Sequence, residues 1–335
     1  MLKYKKSLIL LLVLSFVLSV TAVGFAQETY EIRYGTVGPA EHQYTIAATK
    51  FKELVEDKSD GRIKVTIYPD AQLGGERAMA ESVNSGTLQM TTVTTDGTLP
   101  AWVPEAQIFT IPYLFKNRAH VYAVMDGKIG DRLEEKFAEK GFKHLGFVEL
   151  GWRHFTNNKR PVNKPEDMKD LSLRVQESKV WFTLVEALGA SPQPLPFDDL
   201  YTSLQQGVVD GQENPPATIR SMKFYEVQKY LTLDAHTYAP GSVIMNPNFY
   251  NNLPEDLQKI VDQSVEEMIS YQRHIIEKKE NEDVEFLATE GGMEVSHPDR
   301  SEFMEATKDV PENEEVKKLV PLEWVEDVRE LGEFF

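Results

Sequence analysis

Apolar and polar positions alternate along this chain at two periods, and the period switches repeatedly. Tyr30, Ile32 and Tyr34 alternate with Glu31 and Arg33, the pattern of a half-buried strand. Tyr44, Ala47, Phe51, Leu54 and Val55 then recur at helical spacing, and Gly61 supplies a stop. Ile63, Val65 and Ile67 alternate again up to Pro69. Residues 79–85 predict a helix closed by Gly86, and 88–93 a strand. A longer helix is predicted over 121–140, closed by Gly141, and a strand over 144–150.

The second half continues in the same way. Residues 180–188 predict a helix ended by Gly189, and Pro192, Pro194 and Pro196 mark an extended segment. Asp198 is placed to cap a helix carrying Leu200, Tyr201 and Leu204, which Gly207 ends. Pro254 opens a helix whose apolar positions include Leu257, Val261, Val265, Met268 and Ile276, running toward Gly291 and Gly292. A helix of that length can pack along two lobes and join them, or lie on the surface of a single domain. Strands alternating with helices predict an α/β fold with substantial parallel sheet. No flexible linker interrupts the pattern, so a two-lobed chain would cross between its lobes more than once.

Composition narrows the class. The chain has 335 residues, 41% hydrophobic and 27% charged, enough for one large or two medium cores. Lys3, Lys5 and Lys6 precede an apolar run over 8–20, with small residues at Gly24 and Ala26. That order reads as a secretory signal cleaved near Ala26, the run being short for a membrane span. With no cysteine, disulfides, thiol catalysis and an anchor through an N-terminal cysteine are excluded. The net charge of −17 repels nucleic acid and anionic lipid. An anionic ligand would need positive charge gathered locally.

The common catalytic signatures are missing: there is no HExxH, GxxxxGK[ST], GxGxxG or GxSxG. The seven histidines form no i, i+4 pair. Four other stretches are more informative: residues 72–77 (QLGGER), 151–157 (GWRHFTN), 173–175 (LRV) and 207–215 (GVVDGQENP). The glycines at 74 and 75 suit a tight turn whose backbone N–H groups could face a ligand. Arg174 is flanked by strand-forming apolar residues. An arginine there is costly unless paired, and its planar fork of donors matches a carboxylate. Spacing alone leaves open a structural salt bridge with one of the many acids.

Taken together these stretches resemble the substrate-binding proteins of TRAP transporters, the DctP family. DLSLRV, YPDAQLGGERAM, IFTIPYLF, KFYEVQKYL and the run from LGASPQPLPF to DGQENP carry the likeness, which extends from Tyr30 to about Pro298. It implies an α/β, two-lobed periplasmic-binding-protein fold, type II-like, with a long helix spanning both lobes. Residues 27–150 with about 236–270 would form one lobe, and 151–235 with about 271–335 the other. Arg174 would be the carboxylate clamp, Arg153 a second ligand arginine and Asn214 the ligand asparagine. Glu76 falls at a polar ligand position and Phe197 at an aromatic packed over the ligand, though a turn-capping acid and a core aromatic remain open for these two. His42, Thr94, Asp96, Trp152 and Tyr201 are candidate pocket lining.

The resemblance implies no catalytic residue and no cofactor. It implies a periplasmic receptor, expected as a monomer, that delivers a small organic acid to the membrane subunits of a TRAP transporter, with no nucleic-acid partner. Glu177 stands three positions after the clamp arginine, where sialate-type relatives carry a small polar residue. The motif ends in Glu-Asn-Pro rather than the Glu-Trp of the cation-binding keto-acid branch, so no metal is expected. A hydroxylated monocarboxylate such as a uronate or another sugar acid fits first. A four-carbon dicarboxylate or a keto acid, an enzyme acting on an organic acid, and a sensor presenting the ligand to a kinase stay open.

Overall fold

The computed structural model describes residues 28–335, so the expected signal segment lies outside the described residues. In chain order the elements begin β1 (Tyr30–Gly35), α1 (Gln43–Lys58), β2 (Ile63–Tyr68), α2 (Glu76–Ser85), β3 (Met90–Thr94), α3 (Arg118–Met125), α4 (Lys128–Glu139) and β4 (Lys143–Asn157). They continue with β5 (Ser172–Val175), α5 (Lys179–Ala187), β6 (Ser191–Pro194), α6 (Leu200–Gln205), β7 (Gly211–Asn214), α7 (Pro216–Ser221) and β8 (Tyr230–Met245). The last are α8 (Pro247–Asn252), α9 (Glu255–Ala288), β9 (Glu294–Ser296), α10 (Arg300–Thr307), α11 (Glu314–Lys317) and α12 (Leu322–Leu331).

Alternation produces the early elements as expected. Ile32 and Tyr34 are buried in β1, and Tyr44, Ala47, Phe51 and Val55 form the buried face of α1. Gly86 ends α2 at φ 84°, a left-handed conformation that a side chain disfavours. The helix expected over 121–140 is two helices, because Asp126 caps the first and Gly127 starts the second. The expected strand over 144–150 is the first half of a longer one, since β4 continues through the GWRHFTN stretch.

One sheet runs through the molecule in the order β2-β1-β3-β8-β4-β7-β5-β6, with β9 paired to β8. It is mixed. β1 pairs parallel with β2 and β3, and β5 with β6 and β7, but β3–β8, β4–β7 and β4–β8 are antiparallel. The fold is α/β and two-lobed. β4 and β8 pass through both lobes, paired from Lys143 opposite Met245 to Asn157 opposite Tyr230. The register slips between His144 and Gly146, between Glu149 and Gly151, and between Arg153 and Phe155. Such slips bend a strand pair locally.

Three apolar clusters fill the lobes. The largest joins Ile32, Phe51, Val93, Phe109 and Val148 with Leu257, Val261 and Val265 of α9. The others centre on Trp181 with Leu173, and on Phe224 with Leu200. The 34-residue α9 starts in the first cluster and ends at Leu287 in the third, so it spans both lobes. The chain end returns: Val316, Trp324, Val325 and Val328 pack into the first cluster, although the sequence division grouped 271–335 with the second lobe.

At the bend, α9 grips β4. Gln272 is fully buried, and its amide nitrogen donates to the Glu149 carbonyl at 2.6 Å while its oxygen accepts from the Glu149 N–H at 2.9 Å. The buried Glu149 carboxylate accepts from Arg118 Nη2 at 2.6 Å and from the Tyr122 hydroxyl at 2.5 Å.

Candidate functional site

A cavity of about 320 Å³ lies between the lobes. His42, Glu76 and Gly97 line it from one side, and Arg153, Arg174, Gln176, Phe197 and Asn214 from the other. With Thr94, it thus gathers seven of the ten expected site residues.

Arg174 sits on β5, where Leu173 and Val175 bury the strand. Its side chain is only 3% exposed. Nε donates to the Leu195 carbonyl at 2.9 Å, and the guanidinium lies 5.9 Å from the Phe197 ring centre. Among the described residues no carboxylate forms an ion pair with it. Burial strips its hydration and lowers its pKa to about 10, with Glu213 pulling the other way. A buried, charged fork facing a cavity is a strong point for an anion.

Arg153 is buried and already engaged. Its Nη2 donates to the Glu213 carbonyl at 2.7 Å and to Oε1 of the same residue at 2.9 Å, and its Nε donates to Oε2. Burial would raise the Glu213 carboxyl, but Arg153 and His236 outweigh it and hold it below its usual range. Nε2 of His236 lies 3.6 Å from Glu213, and Nδ1 lies 2.8 Å from Asp234, which also accepts from the Tyr113 hydroxyl at 3.3 Å. Burial acts to lower the His236 pKa; the two carboxylates raise it overall. Glu213, His236 and Asp234 thus form a buried string of charges behind Arg153.

The remaining expected residues take distinct places. The His42 ring caps α1, Nδ1 accepting from the Tyr44 N–H at 3.2 Å, and burial lowers its pKa to about 3. The neutral ring therefore carries its proton on Nε2. Glu76 accepts from the Thr94 N–H at 2.9 Å, the Thr94 hydroxyl at 3.0 Å and the Thr98 hydroxyl at 2.5 Å, so it ties α2 to the end of β3 at the cavity wall. Burial raises its pKa. Asn214 on β7 lines the cavity and donates to Gln212 Oε1 at 2.5 Å.

Three candidates stand apart from the cavity lining. Asp96 turns into the core and accepts from Thr110 at 3.1 Å, and burial lifts its pKa to about 6. Trp152 alternates with Arg153 along β4 and so faces the opposite side of the strand. It packs edge-on against Tyr238 and lines a separate depression. Tyr201 donates to Glu226 at 2.9 Å in the third cluster. Asp198, expected as a helix cap, instead lies over Gly75, where an added Cβ would stand 2.7 Å from its Oδ1. Sequence reasoning passed over Gln176, Glu213 and His236. The extended backbone at 174–176 was a usable signal for Gln176, since residues two apart share a face.

Among the described residues no group of three or more metal-binding side chains could hold an ion. No described helix is long and apolar enough to cross a membrane.

The chain is similar to known proteins over most of its length. The model of the bacterial extracellular solute-binding protein family 7, DctP, matches residues 34–317. The 2,3-diketo-L-gulonate-binding periplasmic protein of Escherichia coli is 32% identical, over 86% of this chain and 90% of that protein. A TRAP periplasmic solute-binding protein from Polaromonas sp. JS666, bound to D-erythronate, is 35% identical with a TM-score of 0.85, covering 90% of this chain and 98% of that one. The sugar acid binding protein of Advenella mimigardefordensis, in complex with galactonate, is 30% identical with a TM-score of 0.88, covering 92% and 99%.

Proposed function

Because this chain belongs to bacterial extracellular solute-binding protein family 7, the DctP family of TRAP-transporter receptors, we propose that it captures a hydroxylated monocarboxylate in the periplasm and delivers it to a TRAP membrane transporter. The family consists of substrate-binding proteins rather than enzymes, and this chain acts in the same way, without catalysis. The observation that carries the reading is Arg174: a buried guanidinium with no carboxylate partner among the described residues, facing a cavity.

The ligand carboxylate docks on the Arg174 fork. Charge-assisted hydrogen bonds contribute about 1.5–3 kcal/mol each, and water exclusion strengthens them. Two or three together contribute about 3–9 kcal/mol, offset by the cost of ordering the ligand and the site. Residues 27–150 with about 236–270 form one lobe and 151–235 with about 271–335 the other, except that the last helices return to the first core. Closure brings both sides of the site onto the ligand, so the ligand selects the closed form.

Glu76, Glu177 and Asp198 line the same cavity, and Glu213 already neutralises Arg153. A second carboxylate would meet acids rather than a free cation, whereas hydroxyl groups could donate to those acids. The relatives that hold D-erythronate and galactonate support the same preference. A thermal-shift screen of the purified chain against mono- and dicarboxylates tests the reading. Sugar acids are expected to raise the unfolding temperature most; stabilisation by no organic acid overturns it.

A further inference from the structure

Gln176 follows β5 directly, two residues after Arg174. In extended backbone such residues share a face, their Cα atoms about 6.6 Å apart. Both line the cavity. Gln176 is 8% exposed, and its amide nitrogen is buried with no hydrogen-bond partner. A buried donor is rarely left unpaired. Across the cleft stands Gly97. A Cβ built there would lie 1.6 Å from Gln176 Oε1 and 2.4 Å from its Cδ. The carboxamide oxygen therefore points at a glycine of the facing lobe, and a side chain at 97 would have to push the carboxamide out of this position.

Building on the receptor reading above, we propose that Gln176 is a specificity-determining residue. Its Nε2 donates to a neutral oxygen, hydroxyl or keto, a few carbons along from the carboxylate held by Arg174, and Gly97 is the gap that lets it reach there. A donor beside a fixed carboxylate distinguishes an oxygenated chain from a plain one. The acids Glu76, Glu177 and Asp198 around it turn away a second anion. Gln176 supplies the selective contact, while Arg174 grips any carboxylate.

Calorimetry of the full chain with D-erythronate and with butyrate, its counterpart without hydroxyls, separates the possibilities. The wild type is expected to bind D-erythronate at least about 100-fold more tightly, as expected of a site built to hydrogen-bond an oxygen. Gln176→Met keeps the length of the side chain and removes the donor without adding a charge beside Arg174. It should weaken D-erythronate about tenfold or more and butyrate by less than about threefold. Gly97→Ala should weaken D-erythronate similarly, and should cost nothing further in a Gln176→Ala background. If Gln176→Met lowers both ligands equally, or neither, the inference fails while the receptor reading stands. If the wild type binds neither ligand nor any other carboxylate, the receptor reading fails and this inference falls with it. Thermal unfolding of each variant separates misfolding from lost contact, and Gly97→Ala provides an independent route should Gln176→Met fail to fold.

Discussion

Arg153 and Glu213 are joined through three donated hydrogen bonds, two to the carboxylate and one to the backbone carbonyl, with both side chains fully shut from solvent. Arg174, nearby, has no such partner. Two arginines lining one cavity are therefore in different electrostatic states: one is spoken for, and the other is available to a ligand.

Glu213→Gln leaves Arg153 charged, buried and without its counter-ion. Breaking a buried pair by removing one partner costs about 3–5 kcal/mol, so chemical denaturation should show a loss of that order. A bound organic acid should restore more stability to this variant than to the wild type, because its carboxylate can face the released arginine. Equal ligand-induced shifts in both proteins would count against that second part.

Arg174→Ala is expected to lower affinity for an organic acid by at least about tenfold, or 1.4 kcal/mol. Arg174→Lys should also weaken binding, since an ammonium cannot present the planar fork. Isothermal titration gives both numbers directly, and an unchanged dissociation constant in Arg174→Ala removes the clamp from its role.

His144 is held neutral by burial against Phe137 and Phe147, its pKa lowered to about 3, and its Nε2 has no partner. The unfolded chain takes up a proton near 6.5, but the folded chain does not until far lower. Stability is therefore lost as pH falls below about 6.5, at up to about 1.4 kcal/mol per pH unit from this residue. His42 and His154, lowered to about 3 and about 4 by burial, add slopes of the same sign. His236 runs the other way: its pKa is raised, so its contribution is full below about 6.5 and fades as pH rises through the folded value. Urea unfolding at pH 5 and pH 7 checks this. His144→Phe should flatten the acid slope, and His236→Asn should remove the alkaline one.

Gln272→Leu strips the paired amide from the Glu149 backbone at the bend. A buried N–H and C=O lose their partners, at about 1–3 kcal/mol each. Denaturant midpoints should fall, and the closed fraction seen by small-angle scattering at fixed ligand should change, although Gln272 is not part of the cavity lining. A variant with wild-type stability and wild-type closure would show that the grip is ornamental.

The sequence made the edges of this molecule legible and left its middle hidden. Strands β1 and β2 and helix α1 follow simple periods because one face of each is buried against apolar neighbours. The central pair β4 and β8 does not. β4 passes through Gly146 and Gly151 at φ 141° and 126°, and each register slip resets the alternation. β8 buries Thr232, Asp234, His236 and Thr237, polar residues that break any apolar pattern, and of these Asp234 and His236 serve the charges behind the site. At the site, Arg174 was visible as a charge where a strand should be apolar. Glu213 and His236 were not: 60 and 83 positions from Arg153, they are joined to it by strand pairing and packing that no local spacing encodes. Asn214 was noticed and its neighbour Glu213 was not, although both are buried in the same four-residue strand.

Val316, Trp324, Val325 and Val328 complete a core built mainly from residues 32–150, 238–253 and the first half of α9. The chain leaves this core along β4, comes back along β8, and crosses away again through α9 before its end returns. The first lobe must hold its core unfinished until nearly the whole chain has been made. Contacts of such long sequence separation make folding slow, so this lobe matures last although most of it is synthesised first. A chain cut short before Val310 would carry Arg174 and the whole cavity lining, and still lack the helices that seal the core beneath it.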